Sequence, residues 1–168
     1  LHKEYRRQRQ MCIRDRVKTN EHRVGLTPMA VREYVARGHE VRIETGAGVA
    51  AGFPDADYVK AGALIVGDAD AVFADSEMIV KVKEPQPSEW GRLTERHILF
   101  TYLHLAPDPE QTKALLASKC AGVAYETVTD RNGGLPLLAP MSEVAGRIAV
   151  FSACLLYTSD AADDTPCV

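Results

Sequence analysis

The strongest constraint on this chain is a rhythm. From residue 27 onward, short apolar runs of strand length alternate with stretches of helical character. Thr27-Pro28 reads as a helix start, with threonine at the N-cap and proline at the first helical position. Met29, Val31, Tyr34 and Val35 are expected on one face of that helix, and Gly38 supplies the left-handed residue on which helices commonly end. Residues 40–44 alternate as a short strand, and 63–66, 78–82, 97–103 and 122–125 read as further strands. Helical segments fall at 55–61, 69–74, 88–93 and 108–118, and Ser142 is expected to cap a last helix.

Strands separated by helical crossovers return in the same direction and pair in parallel. The expected fold is therefore α/β: a doubly wound, mainly parallel sheet with helices on both faces, Rossmann-like or flavodoxin-like. Strand order is not legible from the sequence. At 168 residues, 46% apolar and 26% charged, the chain has the size and composition of one globular domain, which excludes collagen, coiled coil and wholesale disorder. No run approaches the roughly 20 consecutive apolar residues of a membrane span. A net charge of −3 offers no footprint for nucleic acid, so neither partner is expected.

That charge is unevenly spread. Residues 1–16 carry Lys3, Arg6, Arg7, Arg9, Arg14 and Arg16 against Glu4 and Asp15, whereas residues 154–168 carry Asp160, Asp163 and Asp164 with no base. Cys12, Cys154 and Cys167 lie in these flanks and leave only Cys120 in the body, so a disulfide framework is unsupported and a reducing cytoplasm is the expected location. The basic start lacks the apolar core of a secretory signal. Met11-Cys12-Ile13-Arg14-Asp15-Arg16, and the run from Cys154 through Asp164, resemble translated sequencing-adapter read-through. Residues 1–16 and 154–168 are accordingly expected to be non-native or disordered flanks around a domain at 17–153.

Open α/β sheets bind ligands in the crevice beyond the carboxyl ends of their strands. Three expected strands end in a reactive side chain: Lys83, His104 and Glu126. Arg23 precedes the first helix and would reach the same edge if a strand lies before it. Taken singly, each could be a solvated loop residue, a structural histidine or a turn carboxylate. Lys81 serves as an internal control, expected to face a helix layer or to snorkel to solvent. Together, Arg23, Lys83 and His104 suit a small anionic oxo acid. A guanidinium fork binds a carboxylate, an ammonium holds a carboxylate or polarises a carbonyl, and an imidazole passes a proton. The sequence contains no phosphate-binding P-loop, no H-E-x-x-H, no C-x-x-C and no nucleophile elbow, and no metal site is expected. The run Gly46-Ala47-Gly48-Val49-Ala50-Ala51-Gly52 is one residue off the dinucleotide fingerprint and reads as a loop.

Five segments, in order, resemble the N-terminal part of the alanine dehydrogenase family. They are Thr19-Asn20-Glu21-His22-Arg23-Val24-Gly25-Leu26-Thr27-Pro28, Gly46-Ala47-Gly48, Lys81-Val82-Lys83-Glu84-Pro85, Thr101-Tyr102-Leu103-His104-Leu105-Ala106, and Ala139 through Arg147. The resemblance covers essentially all of residues 17–153. It implies an NAD-dependent interconversion of L-alanine with pyruvate and ammonia in a homo-hexameric parent enzyme. Arg23 and Lys83 would hold the substrate, Lys83 and His104 would act in catalysis, and Ser142 would lie beside the nicotinamide cofactor. The family's glycine-fingerprint dinucleotide domain has no counterpart here, and the match fails in the last helix near residues 151–154. The expected molecule is therefore a truncated fragment, inactive alone. The NAD-binding subunit of proton-translocating transhydrogenase shares the E-x-R-V…T-P opening, but Lys83-Glu84 and the histidine of Leu103-His104-Leu105 favour the dehydrogenase. A stand-alone, non-catalytic module that binds small acids is the reading from a different class.

Overall fold

The computed structural model describes residues 10–13 and 21–163. It divides into two compact units, residues 1–125 and 126–168.

The first unit is built on one six-stranded sheet. Its strands are β1 (Gln10–Ile13), β2 (Glu40–Glu44), β3 (Leu64–Val66), β4 (Met78–Val80), β5 (Ile98–Thr101) and β6 (Ala121–Ala124), in the spatial order β3-β2-β1-β4-β5-β6. Every neighbouring pair is parallel. This is the Rossmann order, which settles the choice between the two doubly wound arrangements and puts a topological switch point between β1 and β4.

Strand β1 falls inside the flank expected to be disordered. Instead it is a central strand, with Met11 paired to Val41 on one side and Met78 on the other. Met11 is 2% exposed. A strand of four residues is too short to display a period, so nothing but its apolar content marks it in the sequence. The remainder of that flank, 1–9 and 14–16, and the last residues, 164–168, lie outside the described residues.

Helices cover both faces, as the rhythm demands. Along β4, Ile79 and Val80 point to opposite sides and join separate apolar clusters. Val80 packs with Met11, Val41, Ile43, Val31 of α1 (Pro28–Ala36) and Tyr58 of α2 (Asp55–Lys60). Ile79 packs with Leu99, Leu103 and Leu93, together with Val72 and Phe73 of α3 (Ala69–Asp75). Two further helices complete the layer: α4 (Pro87–Trp90) and α5 (Pro109–Ser118). The expected caps form. Thr27 accepts from the Ala30 amide, Asp108 from Gln111, and Gly38 adopts φ 84° after α1. Met29 departs from its expected face and is 75% exposed. Two residues advance a helix by about 200°, so Met29 and the buried Val31 stand on opposite sides.

The second unit begins at Glu126 and contains a turn organised by the Asp130 carboxylate, which accepts from the amides of Asn132 and Gly134, each at 2.8 Å. Its helix α6 spans Ala139–Asp163. Two expectations fail here. Ser142 does not cap this helix but lies within it, its amide donating to Leu138 O at 3.2 Å. Nor does the helix stop near residues 151–154; it runs ten residues into the expected flank. By length and composition the stretch Ala139–Tyr157, of mean hydropathy 1.3, is also apolar enough to cross a membrane, although Glu143 and Arg147 interrupt it. A count of consecutive apolar residues misses such a helix because helical burial tolerates polar residues between apolar ones.

Candidate functional site

The segments that follow β1, β4 and β5 leave the carboxyl ends of three adjacent strands, with the switch point between the first two. Each carries one of the singled-out cations: Arg23 after β1, Lys83 after β4 and His104 after β5. Lys83 and His104 line one cleft of about 360 Å³ with Glu84, Pro107, Asp108 and Gln111.

Backbone pairing carries the β4 and β5 segments side by side past the formal strand ends. Lys81 N donates to Phe100 O at 3.1 Å, and Tyr102 N to Val82 O at 3.3 Å. The Thr101 hydroxyl donates to Lys83 O at 2.9 Å. His104 then turns sharply, with φ 46°, a left-handed conformation rare for a residue with a Cβ. Its ring stacks on buried Tyr102, with centroids 5.8 Å apart and planes at 23°. Nδ1 lies 3.4 Å from Glu84 Oε2, and about half of the side chain remains exposed at 49%.

Gln111 braces the turn from below. It is buried, and its Nε2 donates to Leu103 O at 2.6 Å. Sequence reasoning missed this residue, since a glutamine inside a helix carries no signal of its own. It could have missed Glu21 less easily, because two residues apart in extended chain places side chains on one side.

The Arg23 guanidinium engages Glu21 through Nε at 2.8 Å and Nη2 at 2.7 Å, and the Arg23 amide donates to the same carboxylate at 2.9 Å. These bonds hold the Glu21 carboxyl below the ordinary carboxylate range, against its partial burial, and the Lys83 charge adds to the effect. The electrostatic contact puts Lys83 within reach of the Glu21–Arg23 pair. Arg23 does not itself line the cleft with Lys83 and His104; it borders the same strand edge through Glu21. Ser142 and Glu126 belong to the second unit.

The glycine-rich loop is no phosphate cradle. The Gly46 amide already donates to Asp55 Oδ1 at 2.8 Å, and the Thr45 hydroxyl to Oδ2 at 2.9 Å, so a carboxylate holds the place an anion would take. At Gly48 a Cβ would stand 2.5 Å from the Tyr58 ring and 2.6 Å from Phe53 O. That glycine is required by internal packing, and these residues do not fit a dinucleotide. Of the two readings offered for Lys81, snorkelling fails and the helix layer fits: it is 2% exposed and paired with Glu89 of α4, itself fully buried. No group of three or more His, Cys, Asp or Glu side chains suited to a metal occurs among the described residues.

A family model described as "Alanine dehydrogenase/PNT, N-terminal domain" matches residues 12–145. The chain belongs to that family. It is 54% identical over 134 residues to the alanine dehydrogenase of Methanococcus maripaludis, covering 80% of this chain and 36% of the relative. To the alanine dehydrogenase of Mycobacterium tuberculosis it is 55% identical over 132 residues, 79% and 36% of the two chains. A solved L-alanine dehydrogenase superposes with a TM-score of 0.80 at 48% identity, covering 84% of this chain and 39% of the other. A transhydrogenase from Sinorhizobium meliloti shares the fold, with a TM-score of 0.66 at 24% identity over 73% of this chain and 36% of its own. The chain thus spans little more than a third of the relatives it matches. The family match opens at Cys12, within β1, so it includes the last residues of the expected flank.

Proposed function

We propose that this chain is the oxo-acid-binding part of an oxidoreductase interconverting L-alanine with pyruvate and ammonia. The observation that carries the reading is the meeting of Lys83 and His104 in one cleft beside the switch point, with Arg23 on the adjoining segment. Pyruvate presents a carboxylate and a ketone one bond apart. The Arg23 guanidinium would bind the carboxylate, and the Lys83 ammonium would polarise the ketone oxygen. His104 would exchange a proton with the substrate oxygen or amine. In the enzymes this family is named for, the nicotinamide cofactor would carry the hydride, donated as NADH and accepted as NAD+. Ser142 would meet the nicotinamide in the complete enzyme, which is taken to be a cytoplasmic homo-hexamer.

Residues 1–168 alone would bind the acid without turning it over, because their glycine loop does not fit a dinucleotide. Titration of the isotope-labelled chain with pyruvate tests the binding. Signals of Arg23, Lys83 and His104 should shift together, and Lys83→Ala should abolish the shifts. Shifts confined to other residues would defeat the assignment. Oxidation of NADH by this chain in the presence of pyruvate and ammonia would contradict its inactivity. The similarity to transhydrogenase is a likeness of fold, and it leaves the Lys83–His104 cleft without a role.

A further inference from the structure

Lys81 and Glu89 form a buried ion pair to which the proposed chemistry gives no part. Lys81 Nζ lies 2.6 Å from one carboxylate oxygen and 2.5 Å from the other, and the side chains are 2% and 0% exposed. Such pairs are poor sources of stability, because desolvating two charges offsets most of their attraction. What they do supply is a single geometry, since moving either buried charge away from the other leaves it poorly compensated.

Here the geometry belongs to the segment that builds the cleft. Lys81 follows β4 directly, and Glu89 lies in α4. Between them the chain makes the excursion that presents Lys83 and Glu84. The Glu89 carboxylate also accepts from the Gln86 amide at 2.8 Å, closing the excursion on itself. Trp90 Nε1 donates to Pro85 O at 2.8 Å, and Gln86 Nε2 to Glu84 O at 3.0 Å.

We infer that Lys81 and Glu89 are positioning residues: their buried pair holds the backbone of Lys83 and Glu84 at the spacing that substrate binding needs. This rests on the function proposed above. The test uses the 168-residue chain labelled with nitrogen-15 and the double variant K81M/E89M, in which two apolar side chains of similar volume replace the pair. In the parent chain the Lys83 and Glu84 amides should be as rigid as the strands, with order parameters of about 0.85. In the double variant they should fall to about 0.6, with a melting temperature close to the parent's. Pyruvate affinity should drop about tenfold.

A purely structural pair would show the reverse, with a lowered melting temperature and unchanged order at Lys83 and Glu84. That result overturns the proposal, as does a double variant that fails to fold or a parent chain already mobile at these two residues. Failure of the parent chain to bind pyruvate would count against the proposed function instead. The order parameters would still decide the positioning role.

Discussion

The two cation-bearing segments beside the switch point are held in opposite ways. Arg23 is gripped by Glu21, two residues away, and stays about half exposed at 48%. Lys83 is set by a pair it does not belong to, Lys81 with Glu89, sealed from water. The first device is local and open to solvent on its Arg23 side, with Glu21 only 7% exposed, so it orients a side chain at modest cost or gain in stability. The second ties a strand to a helix through the interior, so it sets geometry more than stability, although removing one partner alone is costly. A third contact joins the Arg23 segment to the core: the Tyr58 hydroxyl donates to Leu26 O at 2.9 Å from within the apolar cluster. Gly48 makes room for that ring.

Breaking each device should rank them. Lys81→Met strands the Glu89 carboxylate without its counter-ion and should cost about 3–5 kcal/mol in urea unfolding. A loss below about 1 kcal/mol would show that the interior is wetter than its burial implies. Gly48→Ala should cost about 1–3 kcal/mol. The alanine methyl meets Phe53 O, which is backbone and cannot swing aside as a side chain could. Tyr58→Phe keeps the ring and removes the hydroxyl that bonds Leu26, costing about 0.5–1.5 kcal/mol by thermal or urea unfolding. Glu21→Gln should fall below about 1 kcal/mol, while pyruvate binding weakens as the Arg23 fork loses its support. Equal stability losses for Glu21→Gln and Lys81→Met would erase the contrast between the two segments.

Acid provides a finer probe. Burial pushes the His97 imidazole below its ordinary value of 6.5, opposed by its bond to Phe73 O and reinforced by the neighbouring Arg96 charge. Nδ1 accepts from the Thr94 amide at 3.0 Å, a bond that protonation destroys. Below about pH 6.5 the unfolded chain takes up this proton more readily than the folded one, so stability falls as pH drops toward the folded-state value. The melting temperature should decline through this window and flatten in His97→Gln. The Glu21 carboxyl acts lower down. Its folded-state value is depressed, so its contribution is present above the ordinary carboxylate range and is lost as acidification approaches the lowered value.

Much of the site was legible because its cause is local. A charged residue just past a strand can be found from the strand, and the parallel rhythm sends such residues to one edge; Lys83 and His104 follow that logic. Gln111 and Tyr58 were not legible as site-builders, since each acts through a backbone carbonyl eight and thirty-two residues away. The carboxylate partner of Lys81 was illegible for a related reason. An isolated lysine in an apolar strand usually snorkels, and only a carboxylate arriving from α4 makes burial tolerable. The start of the chain misled most of all. Basic residues dominate its composition, yet Gln10–Ile13 becomes the strand on which both halves of the sheet pair.

By itself the sequence determined the helix starts at Thr27 and Asp108, the parallel α/β class and the chemistry available at the strand ends. Capping, periodicity and turn residues act within a few positions along the chain. Tertiary structure alone decided that β1 lies between β2 and β4, that Lys81 meets Glu89, and that Arg23 stands beside the Lys83–His104 cleft rather than within it. These choices compare whole arrangements of distant segments by how much apolar surface and how many paired charges each one buries. No short stretch of sequence contains that comparison.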